Sequence, residues 1–118
     1  MKTVYLAGSI NGLDYNQATQ WRNQASHELT IKGYNVLEPM RGKTDLLNKG
    51  VINDSKTIYK PEHILRRDLW DIKHSDYLIA NLEQLGEFPM IGTLMELGLC
   101  LSPLSINCIL FNVPEQFI

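Results

Sequence analysis

Residues 3–7 read TVYLA, a short run of β-branched and apolar side chains that ends at Gly8. A run of this length closed by glycine is typical of a buried β-strand. Similar runs recur at residues 34–38 (YNVLE), 76–82 (DYLIANL) and 106–113 (INCILFNV). The sequence therefore predicts four strands, the first of which is TVYLA.

Helical segments lie between these strands. Apolar side chains recur at helical spacing across residues 15–32, and Gly33 supplies the stop. Pro61 opens a second helix at its first turn, and residues 93–101 predict a third. The polar stretch 40–60 has no clear period and is predicted to be a long loop.

The alternation of strand and helix is the pattern of an α/β fold, an open parallel sheet with helices on both faces. A chain of 118 residues is long enough for one such domain, which we place at residues 1–118. In these sheets, ligands bind beyond the carboxyl ends of the strands, near the point where the strand order reverses. That rule selects the turn GSING at 8–12, the loop after the second strand and EQLGEFPMIGT at 83–93.

Composition argues against several classes of function. Hydrophobic residues make up 44% of the chain, the formal net charge is −2 and the basic residues are scattered, which argues against a nucleic-acid polymer as partner. No apolar run approaches the roughly 18 residues that a membrane span needs, and MKTVYLAGSI is predicted to be a strand and not a signal peptide. Cys100 and Cys108 lack CxxC spacing. We therefore expect neither a disulfide framework nor a zinc site, and a reduced, cytoplasmic setting.

Three sequence features resemble cofactor sites only in part. The tripeptide GKT at 42–44 lacks the earlier glycine of a phosphate loop, because Leu37 stands at that position, and GSING is not a GxGxxG fingerprint. His27, His63 and His74 have no metal-ligand spacing. We therefore expect no metal and no cofactor.

The segment MIGTLMELGLCL, residues 90–101, contains one ionisable carboxylate, Glu96. Thr93 and Glu96 have the spacing of a capping box, in which Thr93 caps the third helix and Glu96 bonds back to the cap. The helix N-terminus would also favour the negative charge. Glu96 equally lies where a parallel sheet places its ligand. The two interpretations do not exclude each other.

Other polar residues lie close to the same end of the predicted sheet. Asp68 and Asp71 share one side of the second helix, and the simplest account pairs them with nearby basic residues on a solvated face. Asp76 would cap or turn the chain before the third strand. Tyr5 lies inside the first strand, and a buried tyrosine hydroxyl needs a hydrogen-bond partner. If the first and third strands are neighbours, Tyr5 can reach Glu96 and hold it.

With these residues in place, the chain resembles the nucleoside 2-deoxyribosyltransferase family and its relatives, the 2'-deoxynucleoside 5'-phosphate N-hydrolases. The resemblance rests on VYLAGSING at 4–12, GYNVLEPMRG at 33–42, RRDLWDIKHSDYLIANL at 66–82 and GTLMELG at 92–98, in this order. It implies a flavodoxin-like three-layer sandwich with a parallel sheet of four to five strands. It also implies a homodimer or higher homo-oligomer whose active sites are completed by a neighbouring subunit.

The resemblance assigns roles to residues of this sequence. Glu96 becomes the nucleophile that attacks the anomeric carbon of the sugar, Tyr5 orients its carboxylate, and Asp68 handles the base and its proton. The implied reaction is the retaining, two-step chemistry of glycosidases, which passes through a covalent glycosyl-enzyme. The substrate-binding residues expected in the same way are Gly8, Ser9, Ile10, Asn11, Met90 and Gly92.

The sequence departs from the family's pattern at two of these positions. Asn11 stands where the nucleotide hydrolases carry an arginine for the 5'-phosphate, and Met90 stands where the transferases often carry an aspartate for the sugar 5'-hydroxyl. The family also continues past its fourth strand, whereas this sequence ends at NVPEQFI. We therefore expect the C-terminal strand and helix of the family to be short or missing.

Three functions remain open at this point. The leading hypothesis is a 2-deoxyribosyltransferase-like enzyme that acts on the N-glycosidic bond of small-molecule nucleosides or nucleotides. A hydrolase of the same bond, including one for (deoxy)nucleoside 5'-monophosphates, differs in using water as the acceptor. A non-catalytic nucleotide-binding or sensing module is the alternative from another class. The joint presence of Glu96, Tyr5 and Asp68 favours an enzyme, since the fold alone does not.

Overall fold

The computed structural model describes residues 1–10, 13–41, 61–83, 91–101 and 106–113, with residues 61–65, 91–92 and 101 described by their backbone. These residues form four strands and three helices in alternation. In chain order they are β1 (Thr3–Gly8), α1 (Tyr15–Ile31), β2 (Asn35–Leu37), α2 (Pro61–Lys73), β3 (Tyr77–Asn81), α3 (Ile91–Leu101) and β4 (Asn107–Phe111). Each predicted strand and helix is present, and most of the predicted loop at 40–60 lies outside the described residues.

The four strands form one parallel sheet in the order β2-β1-β3-β4. Tyr5, in β1, is paired with Leu37 of β2 on one side and with Leu78 of β3 on the other. The chain leaves β1 in one direction to form β2 and then returns across the sheet to form β3. The strand order therefore reverses between β1 and β3, and the carboxyl ends of these two strands are where a ligand is expected.

Both faces of the sheet carry helices, as predicted. Inward-facing residues of β1 and β3 pack with Ile72 of α2 and Cys100 of α3 in the main hydrophobic core, which also contains Tyr5, Ala7, Leu78, Ala80 and Leu82. Side chains alternate between the two faces along a strand, and Gly8 on the opposite face of β1 packs against Trp21 of α1. The α/β sandwich with an all-parallel sheet is thus confirmed.

Local sequence explains both ends of α1. Asp14 is the N-cap, where its side chain accepts the backbone N–H of Gln17 at 2.7 Å and the Gln17 side chain accepts the Asp14 N–H at 3.1 Å. This is a complete capping box. At the other end Gly33 has φ of 92°, a left-handed conformation that favours glycine, and Tyr34 N–H donates to the Leu29 carbonyl. The predicted stop at Gly33 is therefore confirmed.

The predicted capping box at the start of α3 is wrong. The helix begins at Ile91, so Thr93 is already its third residue and Glu96 its sixth, and the first turn contains no acidic residue. The apolar sequence before Thr93 gives no polar cap that would mark the true start. Glu96 is consequently held by something other than the helix end.

The two cysteines also differ from the expectation of no disulfide framework. Cys100 of α3 and Cys108 of β4 are joined as a disulfide, and both sulfurs lie near the Ile106 carbonyl. CxxC spacing could not reveal this pair, because the contact arises from the packing of the end of α3 beside β4.

Within the described residues, no helix is long and apolar enough to cross a membrane. The same residues contain no group of three or more His, Cys, Asp or Glu side chains that could hold a metal ion.

Candidate active site

The Tyr5 side chain connects the centre of the sheet to α3. Its ring is fully buried in the main core, and its hydroxyl donates a hydrogen bond to Oε2 of Glu96. The two residues are 91 positions apart in the sequence. Glu96 is half-buried, and this bond holds its carboxylate from the sheet side. The structure thus brings together the two residues that strand order alone suggested could meet.

The environment of Tyr5 keeps its hydroxyl protonated. Burial raises the pKa of Tyr5 well above its ordinary value, and the negative charges of Glu96 and Asp68 raise it further. The positive charge of Arg22 offsets part of this rise. A neutral phenol can donate a hydrogen bond to a carboxylate, as the Tyr5 hydroxyl does to Glu96.

Asp68 joins this group from α2. It is half-buried, and its charge acts on the Tyr5 hydroxyl and on Arg22, which places it in the same electrostatic neighbourhood as Glu96. Asp68 therefore does not lie on a solvated face, where the simplest interpretation of the sequence placed it. Its part in base release remains a prediction.

The other two aspartates serve the framework. Asp71 is fully buried and accepts hydrogen bonds from both terminal nitrogens of Arg41, one of them at 2.8 Å. The Arg41 pKa is raised, mainly by this hydrogen-bonded pairing. Asp76 accepts the backbone N–H of Thr3 at 2.8 Å, which ties the start of β1 to the residue before β3. The Asp76 side chain thus ties two strands together, whereas the sequence predicted that it would cap or turn the chain.

Arg41 and Arg67 hold the segment after β2 against α2. Besides its contact with Asp71, Arg41 donates to the Glu38 carbonyl at 3.3 Å. Arg67 donates to the carbonyls of Arg41, at 2.9 Å, and of Pro39. The helix that carries Asp68 is therefore fixed to the carboxyl end of β2 by side-chain bonds to main-chain oxygens.

The predicted substrate-binding residues are described in part. Gly8 ends β1, and a Cβ there would lie 2.6 Å from Cζ2 of Trp21, so only glycine fits without a shift. Ser9 and Ile10 follow, both half-buried, and the Ser9 hydroxyl is buried without a hydrogen-bond partner among the described residues. Gly92 lies in the first turn of α3. Asn11 and Met90 lie outside the described residues.

Arg22 is the residue that sequence reasoning missed. It lies on α1, its side chain is buried, and its guanidinium donates to the Gly8 carbonyl at 2.9 Å, the Ser9 carbonyl at 3.4 Å and the Ala18 carbonyl. One signal was present in the sequence. Arg22 follows Ala18 by four residues and thus occupies the apolar face of α1, where a charged residue needs an explanation.

A second feature that sequence reasoning missed lies at the carboxyl ends of β3 and β4. The buried Asn81 side chain accepts from Nδ2 of Asn112 and from the Glu83 N–H, each at 3.0 Å. Asn112 has φ of 55°, a left-handed conformation that asparagine tolerates better than most residues. This network fixes the edge of the sheet beside the candidate site.

Comparison with known proteins supports the resemblance drawn from the sequence. The sequence model of the family described as nucleoside 2-deoxyribosyltransferase matches residues 4–116. A search of curated protein sequences gives no significant match.

Solved structures share the fold at low sequence identity. A 2-desoxiribosyltransferase from Leishmania mexicana has a TM-score of 0.69 at 20% identity, covering 94% of this chain and 64% of its own. A conserved protein from Enterococcus faecalis has a TM-score of 0.61 at 21% identity, with 93% and 62% covered. A 2-deoxyribosyltransferase from Bacillus psychrosaccharolyticus has a TM-score of 0.64 at 18% identity, with 98% and 79% covered. The chain thus spans somewhat less than two thirds of the first two structures.

Proposed function

The chain belongs to the nucleoside 2-deoxyribosyltransferase family, and from this premise we propose that it breaks the N-glycosidic bond of a small-molecule (deoxy)nucleoside or nucleotide through a glycosyl-enzyme on Glu96. The observation that carries the proposal is the hydrogen bond from the buried Tyr5 hydroxyl to the Glu96 carboxylate. Because Glu96 is not a helix cap, its position in an apolar helix calls for a functional explanation.

In the first step, a carboxylate oxygen of Glu96 attacks the anomeric carbon of the sugar. The bond between that carbon and the base nitrogen breaks, and its electron pair leaves with the base. Asp68, in its protonated form, gives the departing base a proton. Tyr5 holds the other carboxylate oxygen of Glu96, so that the attacking oxygen has a fixed direction.

In the second step, an acceptor attacks the same carbon and releases Glu96. If the acceptor is a free base, its nitrogen loses a proton to Asp68 and a new nucleoside forms. If the acceptor is water, it loses a proton to Asp68 and the product is the free sugar. Both outcomes retain the configuration at the anomeric carbon, because each step inverts it once. How well the site excludes water decides between transfer and hydrolysis.

One observation favours a 5'-monophosphate as a second candidate substrate. The Ser9 hydroxyl is buried and lacks a hydrogen-bond partner among the described residues, in the turn at the carboxyl end of β1. Buried hydroxyls are normally paired, and a phosphate oxygen is a strong acceptor for one. Ser9 would then take over part of the phosphate contact that the hydrolases make with an arginine at the position of Asn11.

An oligomer is part of the same proposal. Ile109 and Leu110 of the edge strand β4 are exposed, and so are Leu94 and Met95 of α3. Apolar side chains on an edge strand and a neighbouring helix are typical of surfaces that a partner covers. A second copy of the chain would cover them and complete the site, as the resemblance implies.

The proposal is tested with purified protein and a panel of deoxynucleosides, ribonucleosides and their 5'-monophosphates, each with and without an added free base. Chromatography should show base release or base exchange for at least one substrate. Mass spectrometry of the quenched reaction should locate one sugar on the peptide that contains Glu96. Glu96→Ala should lose both signals. A protein that binds a nucleotide but neither releases nor exchanges any base would instead be a sensing module.

A further inference from the structure

The disulfide between Cys100 and Cys108 lies one helical turn from Glu96. Cys100 follows Glu96 by four residues on α3, so the two side chains are neighbours on one side of the helix. Cys108 lies on β4, the outer strand of the described sheet. The disulfide therefore connects the helix that carries the proposed nucleophile to the sheet.

A single row of residues across the sheet holds α3 at two points. Tyr5 of β1 is paired with Leu78 of β3, which is paired in turn with Cys108 of β4. At one end of this row, Tyr5 is hydrogen-bonded to Glu96 of α3. At the other end, Cys108 is bonded to Cys100, one turn further along the same helix. Because neighbouring strands are about 4.8 Å apart, the two attachments are separated by roughly 10 Å on the sheet and fix the rotation of α3 as well as its position.

The stability that this disulfide supplies does not explain its place in the fold. A disulfide stabilises a protein mainly by restricting the unfolded chain, and the effect grows with the length of the closed loop. Cys100 and Cys108 are only 8 positions apart, so this gain is at the small end of the range. What the pair does supply is a covalent attachment of α3 beside Glu96.

The backbone around the disulfide suits the open form as well as the closed one. The Ile106 carbonyl lies 2.9 Å from the Cys100 sulfur and 3.5 Å from the Cys108 sulfur, so an acceptor is in place for a thiol when the disulfide is open. The Ile106 N–H also donates to the Cys100 carbonyl at 2.7 Å, a bond that does not depend on the sulfurs. Opening therefore removes one attachment of α3 and keeps the main-chain contact between its end and the start of β4.

We propose that Cys100 and Cys108 form a redox site that a dithiol reductant opens, and that the closed form fixes the orientation of Glu96. A thiolate of the reductant attacks the sulfur of Cys108, because Cys108 is half-buried on the outer strand whereas Cys100 is fully buried. The sulfur–sulfur bond breaks, and its electron pair passes to Cys100, which takes up a proton. The second thiolate of the reductant then displaces Cys108, which is protonated in turn, and the reductant leaves as a disulfide. Two electrons and two protons thus pass from the reductant to the chain.

The first measurement counts thiols and makes no use of activity. The sequence contains two cysteines, so denatured protein should show no free thiol after purification without reductant and two after incubation with dithiothreitol. Replacement of the reductant by oxidised glutathione should return the count to zero, with no glutathione adduct in the intact mass and no cross-linked dimer on a non-reducing gel. Two thiols that persist in oxidised glutathione would overturn the proposal, and so would a stable glutathione adduct or a disulfide between two copies.

The second measurement compares wild-type protein in its two redox states, so it depends on the folding of no variant. Tyrosine is labelled with ¹³C at Cζ, and the Tyr5 signal, identified by its loss in Tyr5→Phe, follows the hydrogen bond to Glu96. Reduction should shift this signal and lower kcat by at least about 3-fold with a smaller change in KM, because the attacking oxygen is less well directed. The melting temperature should fall by at least about 4 °C. Cys108→Ser is the matched control and should give the values of the reduced protein with or without dithiothreitol.

The effect on kcat rests on the proposed function, whereas the thiol count and the Tyr5 signal do not. An unchanged Tyr5 signal or, in an active protein, an unchanged kcat would mean that the disulfide only stabilises the fold, which would overturn its role at Glu96. Loss of the fold on reduction would overturn that role as well. If no substrate releases its base, the proposed function fails, and the thiol count and the Tyr5 signal still decide the redox site.

Discussion

Asp68 and Asp71 lie three residues apart on the same helix, yet they belong to regions of opposite character. Asp71 is paired with Arg41 through two parallel hydrogen bonds between one carboxylate and one guanidinium. Asp68 instead shares an electrostatic neighbourhood with the buried phenol of Tyr5, the buried guanidinium of Arg22 and the carboxylate of Glu96. The first region, the Arg41–Asp71 clamp, joins two ionic groups, whereas the second gathers ionisable groups from four elements of the fold.

This difference indicates which region is built for stability and which for chemistry. A bidentate pair with one guanidinium per carboxylate is the arrangement that holds two elements together. A buried neutral phenol that is hydrogen-bonded to a half-buried glutamate, with an aspartate in the same electrostatic neighbourhood, is instead typical of groups that change charge or attack a substrate. We therefore expect substitutions in the clamp to change the free energy of unfolding and substitutions in the site to change the rate.

The largest expected effect is that of Glu96→Gln on the rate. Glutamine still accepts the Tyr5 hydroxyl bond, but it cannot form a glycosyl ester, so kcat should fall by at least about 1,000-fold. The melting temperature should stay within about 2 °C of the wild-type value, because no helix cap is lost. Base release is measured by chromatography and unfolding by circular dichroism, with Glu28→Gln on the exposed side of α1 as the control. Activity that survives in Glu96→Gln would remove Glu96 as the nucleophile.

Tyr5→Phe should have the next largest effect on the rate. The ring and its packing are kept, while the donor that orients Glu96 is lost. A hydrogen bond to a charged group contributes roughly 1.5–3 kcal/mol, so kcat should fall by about 10- to 100-fold. KM should change less than kcat if the bond acts during attack. If the loss in the free energy of unfolding were as large as the rise in the activation free energy, Tyr5 would belong with the clamp and not with the site.

Asp71→Asn should produce the opposite pattern. It leaves Arg41 without its anionic partner, which costs about 3–5 kcal/mol for a fully buried pair. The Arg41 side chain is 38% exposed, so water can solvate the freed guanidinium, and we expect a loss nearer to about 2 kcal/mol in the free energy of unfolding. Urea denaturation measures this loss, and activity at a temperature where the variant is folded should stay within a few-fold of wild type. A large loss of activity in the folded variant would show that the clamp also shapes the site.

The smallest expected effect is a dependence of stability on alkaline pH. The folded-state pKa of Tyr5 is raised above the ordinary value of 10.0 that applies to the unfolded chain. Its stabilising contribution is therefore fully present below about pH 10 and is lost as the pH rises from there through the folded-state value. Melting temperatures between pH 8 and about 11.5 should fall less steeply in Tyr5→Phe than in wild type. Parallel curves for the two proteins would mean that the Tyr5 environment does not differ between the folded and unfolded states.

The fold followed from the sequence because its signals are local. TVYLA, DYLIANL and the helical spacing of residues 15–32 each report on a single element, and the alternation of strands and helices leaves few topologies open. The proximity of Tyr5 and Glu96 could be predicted for the same reason, because a parallel sheet with β1 beside β3 places both residues on one side of the sheet. The start of α3 could not be placed, because an apolar stretch contains no cap to mark it.

The parts that sequence reasoning missed are contacts between distant residues. Arg41 and Asp71 are 30 positions apart, and either could have paired with several other charged residues of the chain. The Cys100–Cys108 pair depends on how α3 packs beside β4. Arg22 occupies an apolar helix face, but the sequence around it does not indicate that the carbonyls of Gly8 and Ser9 are its partners. The tertiary structure determines which of these residues pair, because leaving a charge buried without a partner is costly.

The position of β1 inside the sheet has a consequence for how the candidate site is assembled. β1 needs both β2 and β3 as neighbours, and its Tyr5 meets Glu96 across 91 residues of sequence. Closing a contact of such separation costs more chain entropy than closing a local one. The bond between Tyr5 and Glu96 therefore depends on the packing of the sheet and α3 together, so a chain in which only local elements have formed keeps the two side chains apart.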